Sequence, residues 1–296
     1  MSSPGDRDRI SQILSETSTL EHEQGRPLLS AVVILRDANM PGQGFFTMAR
    51  DLGLDLHVDL YEGRDLAQCG PTGCNHCGGV VSESLVQLLA AEGINLPSRI
   101  VQRGIDSYAL HMDVGSVRIA TPLQEKRIAA LFRGGGPRGL PEPKEGFDRY
   151  LQETAMEKGA NLVNRRVSAI EWNEERPRMK TQQGLSDEYD LVAVAAGVNS
   201  STLKLIEGLG LGYDPPRITK TYICEFLLGE DYIREHFGSS MHVFLSDIPR
   251  LEFAALIPKG ECLSLCILGE RIDKGLIGSF LDSPEVRRHL PPGLRE

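Results

Sequence analysis

No stretch of this chain approaches the roughly 18 consecutive apolar residues that would suggest a membrane-spanning helix. The first 30 residues are polar and charged, without the apolar run and small-residue cleavage site of a secretory leader. Basic charge is also scarce: 32 Lys and Arg stand against 41 Asp and Glu, a net charge of −9, and no basic patch is interleaved with aromatics. That balance argues against nonspecific attraction to nucleic acid or anionic lipid. Two hydrolase signatures are missing as well. His22-Glu23 is followed by Arg26 where a zinc-protease helix needs a second histidine, and no G-x-S-x-G elbow occurs. With no leader, the six cysteines are expected as reduced thiols of a soluble, cytoplasmic protein.

What is present is ordinary for a globular chain. Of the 296 residues 41% are hydrophobic and 25% charged, enough for one large or two moderate domains and too apolar for wholesale disorder. Residues 1–30 read as an N-terminal extension, where Ile10, Ile13, Leu14 and Thr17 keep helical spacing among charges. Ala31–Leu35 is an apolar, β-branched run typical of a strand buried on both faces. Phe45, Phe46, Ala49 and Leu52 then fit a helix, and Leu56, Val58 and Leu60 alternate with His57, Asp59 and Tyr61 in a second strand. Strand, helix, strand over about 30 residues is the βαβ unit of a parallel sheet. Phe147, Leu151 and Ala155 share a helix face ahead of Asn161–Val163, and Leu191–Ala195 is another buried-type strand. Residues 105–133 and 217–270 alternate short strands with turns, which predicts an antiparallel sheet in a second, inserted domain.

A dinucleotide fold wants glycines directly after its first strand, for the tight turn and for close approach to pyrophosphate. Here that strand is followed by Arg36-Asp37-Ala38-Asn39-Met40, and glycines come only at Gly42 and Gly44, in a degenerate G-x-G-x-x-T ending at Thr47. Glu62 lies twenty residues beyond Gly42 at the tip of the second strand, where a carboxylate can accept hydrogen bonds from a ribose diol; alone, it is also what a solvated strand end would carry.

Several stretches in order resemble the geranylgeranyl-reductase-like FAD-dependent oxidoreductases, relatives of the aromatic hydroxylases. They are the opening run from Ala31 through Leu66, Cys77-Gly78-Gly79 ahead of a helix at 82–91, and Phe147-Asp148 with Gly159-Ala160. Asp190–Ser200 and the Ile257-Pro258-Lys259-Gly260 turn complete the series. The resemblance covers roughly residues 31–290 and implies an α/β fold. A Rossmann-like FAD/NAD(P)-binding domain (31–93 and 141–213) would carry an inserted antiparallel-sheet substrate domain (94–140 and 214–296). It implies FAD as cofactor, NAD(P)H as electron donor and a small apolar substrate of isoprenoid type, with contact at a membrane surface compatible with such a substrate. By the same resemblance Gly42 and Gly44 lie under the pyrophosphate, Glu62 on the adenosine ribose and Val167 near adenine. Ala196 and Gly197 form the strand-end turn, Cys77, Gly78 and Gly79 sit near the flavin ring, and Arg133 lies ahead of the Phe147-Asp148 helix. No catalytic residue is singled out. Two departures imply a truncated or degenerate member with weak flavin affinity, or a non-catalytic relative: the altered glycine signature, and an end at Glu296 before the family's later Gly-Asp segment.

Two further features have readings of their own. Cys69-x4-Cys74-x2-Cys77, with His76 inside it, begins like an iron–sulfur signature, or offers a zinc set. The next cysteine, Cys224, is 147 residues on, so a reduced loop without metal is the expectation and a metal-binding redox protein the alternative. Arg133-Gly134-Gly135-Gly136-Pro137 is either a phosphate-holding loop or a connection between domains.

Overall fold

The structure is a computed structural model that describes residues 29–35, 56–73, 75–173, 176–197, 203–210, 212–214 and 216–294. The chain divides into two units, Met1–Arg64 with Leu151–Pro216, and Asp65–Tyr150 with Arg217–Glu296. It starts the first with β1 (Leu29–Leu35) and β2 (Leu56–Tyr61). The second begins with β3 (Val80–Val81), α1 (Glu83–Ala91), β4 (Val101–Ile105), β5 (Ser107–Met112), β6 (Gly115–Ala120) and β7 (Ile128–Leu131). Helix α2 (Phe147–Glu157) leads back to β8 (Asn161–Val163), β9 (Ala169–Asn173), β10 (Arg176–Thr181), β11 (Gly184–Glu188), β12 (Leu191–Ala195) and α3 (Leu203–Glu207). The second unit resumes with β13 (Thr221–Leu227), α4 (Glu230–His236), β14 (Ser240–Leu245), β15 (Leu251–Lys259), β16 (Cys262–Gly269), α5 (Lys274–Asp282) and α6 (Pro284–Arg287).

In the first unit four strands form a parallel sheet in the order β12-β1-β2-β8. The three strands expected to be parallel neighbours are so, with Val33 opposite both Ala193 and Leu60. Strand periodicity sorts β2 between two faces. Val58 and Leu60 pack with Ala155 and Ala160 on the side of α2, while Tyr61 packs with Val167, Met179 and Tyr189 beneath the antiparallel sheet β11-β10-β9. His57 of β2 meets solvent as alternation suggests, but Asp59 does not. Asp59 is buried because Asn161 Nδ2 and the Tyr189 hydroxyl both donate to its carboxylate, which satisfies a charge that would otherwise be costly to bury.

The second unit is organised on a six-stranded sheet, β13-β16-β15-β14-β5-β6. Phe244, Leu256, Leu263, Leu265 and Ile267 on one face pack with Ile233 of α4, Ile277 and Phe280 of α5, and Val286 of α6. The alternate residues of β15, Ala255 and Ile257, pack against Ile105, Ile128 and Ala130. Those last three belong to a smaller sheet, β3-β7-β4, so residues 105–133 are divided between two sheets where one was expected. Nor is the large sheet wholly antiparallel: β14 and β5 run parallel, a pairing open to strands so far apart in sequence. Residues 65–93, grouped with the parallel sheet in the sequence reading, pack in the second unit because β3 pairs with β7. Among the described residues no helix is long and apolar enough to cross a membrane.

Candidate functional site

The carboxyl ends of the parallel strands carry the first group of sequence-predicted residues. Tyr61 pairs with Ile34 and Ala195 with Leu35, so Glu62 and Ala196-Gly197 emerge on either side of the end of β1. In open α/β sheets this is the edge at which ligands bind. Gly197 holds φ +69, a left-handed backbone that a side chain rarely tolerates, and Ala196 is buried. Glu62 is only 3% exposed, so it is not the solvated strand-end charge that its position alone allows. Its backbone N–H donates to Val163 O, and Arg64 grips the carboxylate. Arg64 N and Nε donate to Oε1 at 2.9 and 3.1 Å, and Nη2 to Oε2 at 2.9 Å. Val167 is interior, packed with Tyr61, Met179 and Tyr189. Gly42, Gly44 and the helix expected at 45–52 lie outside the described residues.

A polar cavity of about 580 Å3 opens on this unit, lined by Asp59, Tyr61, Asn161, Arg165, Ser186 and Tyr189 among others. Its hydroxyls are tied down: Tyr189 donates to Asp59, and the Tyr61 and Tyr189 hydroxyls are 3.2 Å apart. Burial, reinforced by the Asp59 hydrogen bond, pushes the Tyr189 phenol well above its ordinary range. The Tyr189 hydroxyl is thus held as a hydrogen-bond donor to Asp59.

The second unit holds the other predicted residues. Gly79, at φ +63, accepts from Leu131 N at 2.8 Å, and a Cβ there would sit 2.0 Å from Leu131 O. At Gly78 a Cβ would meet Cys266 Sγ at 2.8 Å and Ile257 Cδ1 at 2.9 Å. The glycines after Cys77 are therefore demanded by packing against β7, β15 and β16, independently of any ligand. Arg133 is likewise engaged by the protein. Its Nε and Nη2 donate to the two oxygens of Asp148 at 3.0 and 2.7 Å, and the Asp148 side chain has no exposure. The fork that could have held phosphate instead anchors the start of α2. Gly134-Gly135-Gly136 zips onto the loop at 68–75: Asn75 Oδ1 accepts from Gly134 N, its Nδ2 donates to Gly70 O and Gly136 O, and the Cys69 thiol donates to Gly135 O. Cys69 and Cys77 are free thiols, and Cys74 lies outside the described residues.

Sequence reasoning passed over two clusters. Lys259, taken only as a turn residue, is 1% exposed, with its ammonium 3.4 Å from Glu225 Oε1 and 4.9 Å from the Phe132 ring centre. Glu225 also accepts from Ser264 at 2.6 Å. The buried partner of a Pro-Lys-Gly turn cannot be read locally, since Glu225 is 34 positions away. His111, His242 and His289 also converge, from three distant segments.

No protein-family model matches the chain, and no curated protein matches it. Solved structures do. The halogenase PltM in complex with phloroglucinol and FAD superposes with a TM-score of 0.62 at 13% identity, over 88% of this chain and 57% of that one. FqzB gives 0.58 at 12% identity, over 90% of this chain and 60% of that one. CtdE in complex with FAD gives 0.51 at 12% identity, over 82% and 60%. The chain thus spans a little over half the length of the solved chains it matches. With its parallel sheet, its antiparallel sheets and this likeness, the chain has a mixed α/β fold shared with structures solved with FAD.

Proposed function

We propose that this chain binds FAD and serves a flavin-dependent oxidoreduction, with the nucleotide end at the carboxyl edge of the parallel sheet. The observation that carries the reading is the emergence of Glu62 and Ala196-Gly197 on the two sides of the end of β1. The residues fit a ribose. Glu62 is buried, charged and acceptor-only, and a sugar hydroxyl would bind beside the Arg64 guanidinium or displace it. Bound flavin would supply the hydride chemistry through its isoalloxazine ring. The part of the protein is to hold the nucleotide, and the left-handed turn at Gly197 lets backbone approach it closely. Roles for Gly42, Gly44, Val167 and the Cys77–Gly79 loop remain proposals from resemblance. So does the finer reading, reduction of an apolar isoprenoid-type substrate with electrons from NAD(P)H.

A flavin-free relative is the second reading, and one observation favours it. The two charged residues assigned to the cofactor, Glu62 and Arg133, already have ionic partners in Arg64 and Asp148. Titrating FAD into the purified chain while following flavin fluorescence separates the two. Saturable one-to-one binding, weakened about tenfold or more in Glu62→Gln, supports the first, since a hydrogen bond to a charged group contributes about 1.5–3 kcal/mol. A wild-type chain that never saturates sinks it.

A further inference from the structure

One face of the six-stranded sheet carries a concentration of imidazole that flavin binding does not use. On the parallel neighbours β5 and β14, Ala109 stands opposite His242 and His111 opposite Phe244. His111 and His242 therefore project from the same face as diagonal neighbours, close enough for long side chains to meet. The turn after α6 adds His289. Its backbone is fixed there: its N–H donates to Val286 O at 3.0 Å, and its carbonyl accepts from the Tyr232 hydroxyl at 3.2 Å.

The three rings form a closed triangle. Ring centres are 5.0 Å apart for His111 and His242, 4.8 Å for His111 and His289, and 4.6 Å for His242 and His289. Each residue offers one nitrogen such that all three lie within 4.8 Å of one another, and His111 Nε2 is 3.1 Å from His242 Nδ1. Tetrahedral zinc with bonds of about 2.0–2.1 Å holds its ligand nitrogens about 3.3 Å apart, so one edge is already at that spacing. The other nitrogens lie no more than 4.8 Å apart, so they need to approach by about 1.5 Å at most. His111 also has an outer partner. Its Nδ1 lies 2.8 Å from Ser116 Oγ, and donation there leaves the Nε2 lone pair facing the triangle. Phe244 stacks on His111 at 4.6 Å and Phe237 lies 4.9 Å from His242, which gives the group an apolar wall.

We infer that His111, His242 and His289 form a three-imidazole site for a divalent transition-metal ion of the zinc class, with a fourth position open to water or a small ligand. All-imidazole donors suit zinc, cobalt, nickel or copper and disfavour calcium and magnesium, which take oxygen. Bound metal would also tie the turn after α6 to two strands far from it in sequence.

The test uses the full chain, stripped with a chelator and titrated with Co2+ and then Zn2+. The expected result is one equivalent of Co2+ with visible d–d absorption and no strong near-ultraviolet thiolate band, together with a rise in Tm on adding Zn2+. His242→Ala and His289→Ala should each lose at least a hundredfold in affinity, and Ser116→Ala about tenfold through the ring it orients. His289→Gln, on a half-buried turn, serves as the folded control and should lose binding with an unchanged far-ultraviolet spectrum. Cys69→Ser with Cys77→Ser should leave binding intact. Absence of saturable binding, persistence in the histidine variants, or loss in the cysteine variant would overturn the inference. None of these outcomes depends on flavin.

Discussion

Asp148 has a fully buried side chain and meets both nitrogens of the Arg133 fork, so the pair behaves as one unit at the root of α2. Breaking a buried ion pair from one side typically costs about 3–5 kcal/mol. Asp148→Ala is therefore expected to destabilise the chain by about 3 kcal/mol in urea unfolding. The double variant with Arg133→Ala should lose less than the sum of the two single changes. The sequence shows Arg133 and Asp148, and even their family context, but not that they occupy each other. Two residues fifteen positions apart meet only because Phe147 and Asp148 donate their backbone N–H groups to Phe132 O and Arg133 O. The thiols separate at the same scale. Burial pushes Cys262 and Cys266 up to about 12. At pH 8 about one molecule in ten thousand then carries the thiolate at either position, and their reactivity should climb only as pH approaches that value. Iodoacetamide with mass spectrometry should label the partly exposed Cys69 and Cys77 first. Labelling of Cys262 as fast as Cys69 in the folded chain would contradict this.

At the scale of elements, glycine divides into two kinds. A Cβ on Gly134 would lie 1.8 Å from Gly73 O and 3.0 Å from Gly73 Cα, backbone that cannot step aside. Gly134→Ala should unzip the 68–75 and 133–136 loops and lower Tm by many degrees. Gly278 sits inside α5 with nothing within 4 Å of its missing Cβ, so Gly278→Ala should stabilise by about 0.5–1 kcal/mol through helix propensity. Differential scanning calorimetry on the two variants tests both signs. The same contrast explains what was legible. Strands β1 and β12 were readable because strands of a parallel sheet need near-continuous apolar sequence, and β2 because Leu56, Val58 and Leu60 alternate along it. The sheet β11-β10-β9 was not, since Arg176–Thr181 and Gly184–Glu188 are largely polar and gain order from pairing. The glycine-rich loops were visible as loops. That they face each other, with Asn75 bridging them, depends on hydrogen bonds spanning about sixty residues.

At the scale of the molecule, the fold class was readable because it is a sum of many short signals in a fixed order, and the site was only partly so. The places of Glu62 and Gly197 just after β2 and β12 could be read from the strand pattern, while their part in binding is a proposal. The imidazole triangle is assembled by a parallel pairing and a terminal turn, which leave no local pattern. The central position of β1 has a consequence for biosynthesis. Leu35 pairs with Ala195, so the inner strand of the first sheet cannot complete its pairing until residues near 195 have left the ribosome. At about 5–20 residues per second, that is a wait of roughly ten to thirty seconds with one strand edge unsatisfied. Ribosome-bound chains arrested before residue 190 should therefore be cut by protease within Leu29–Leu35, and chains released after residue 216 protected there. The cell has to shelter an apolar strand edge while about 160 further residues are synthesised.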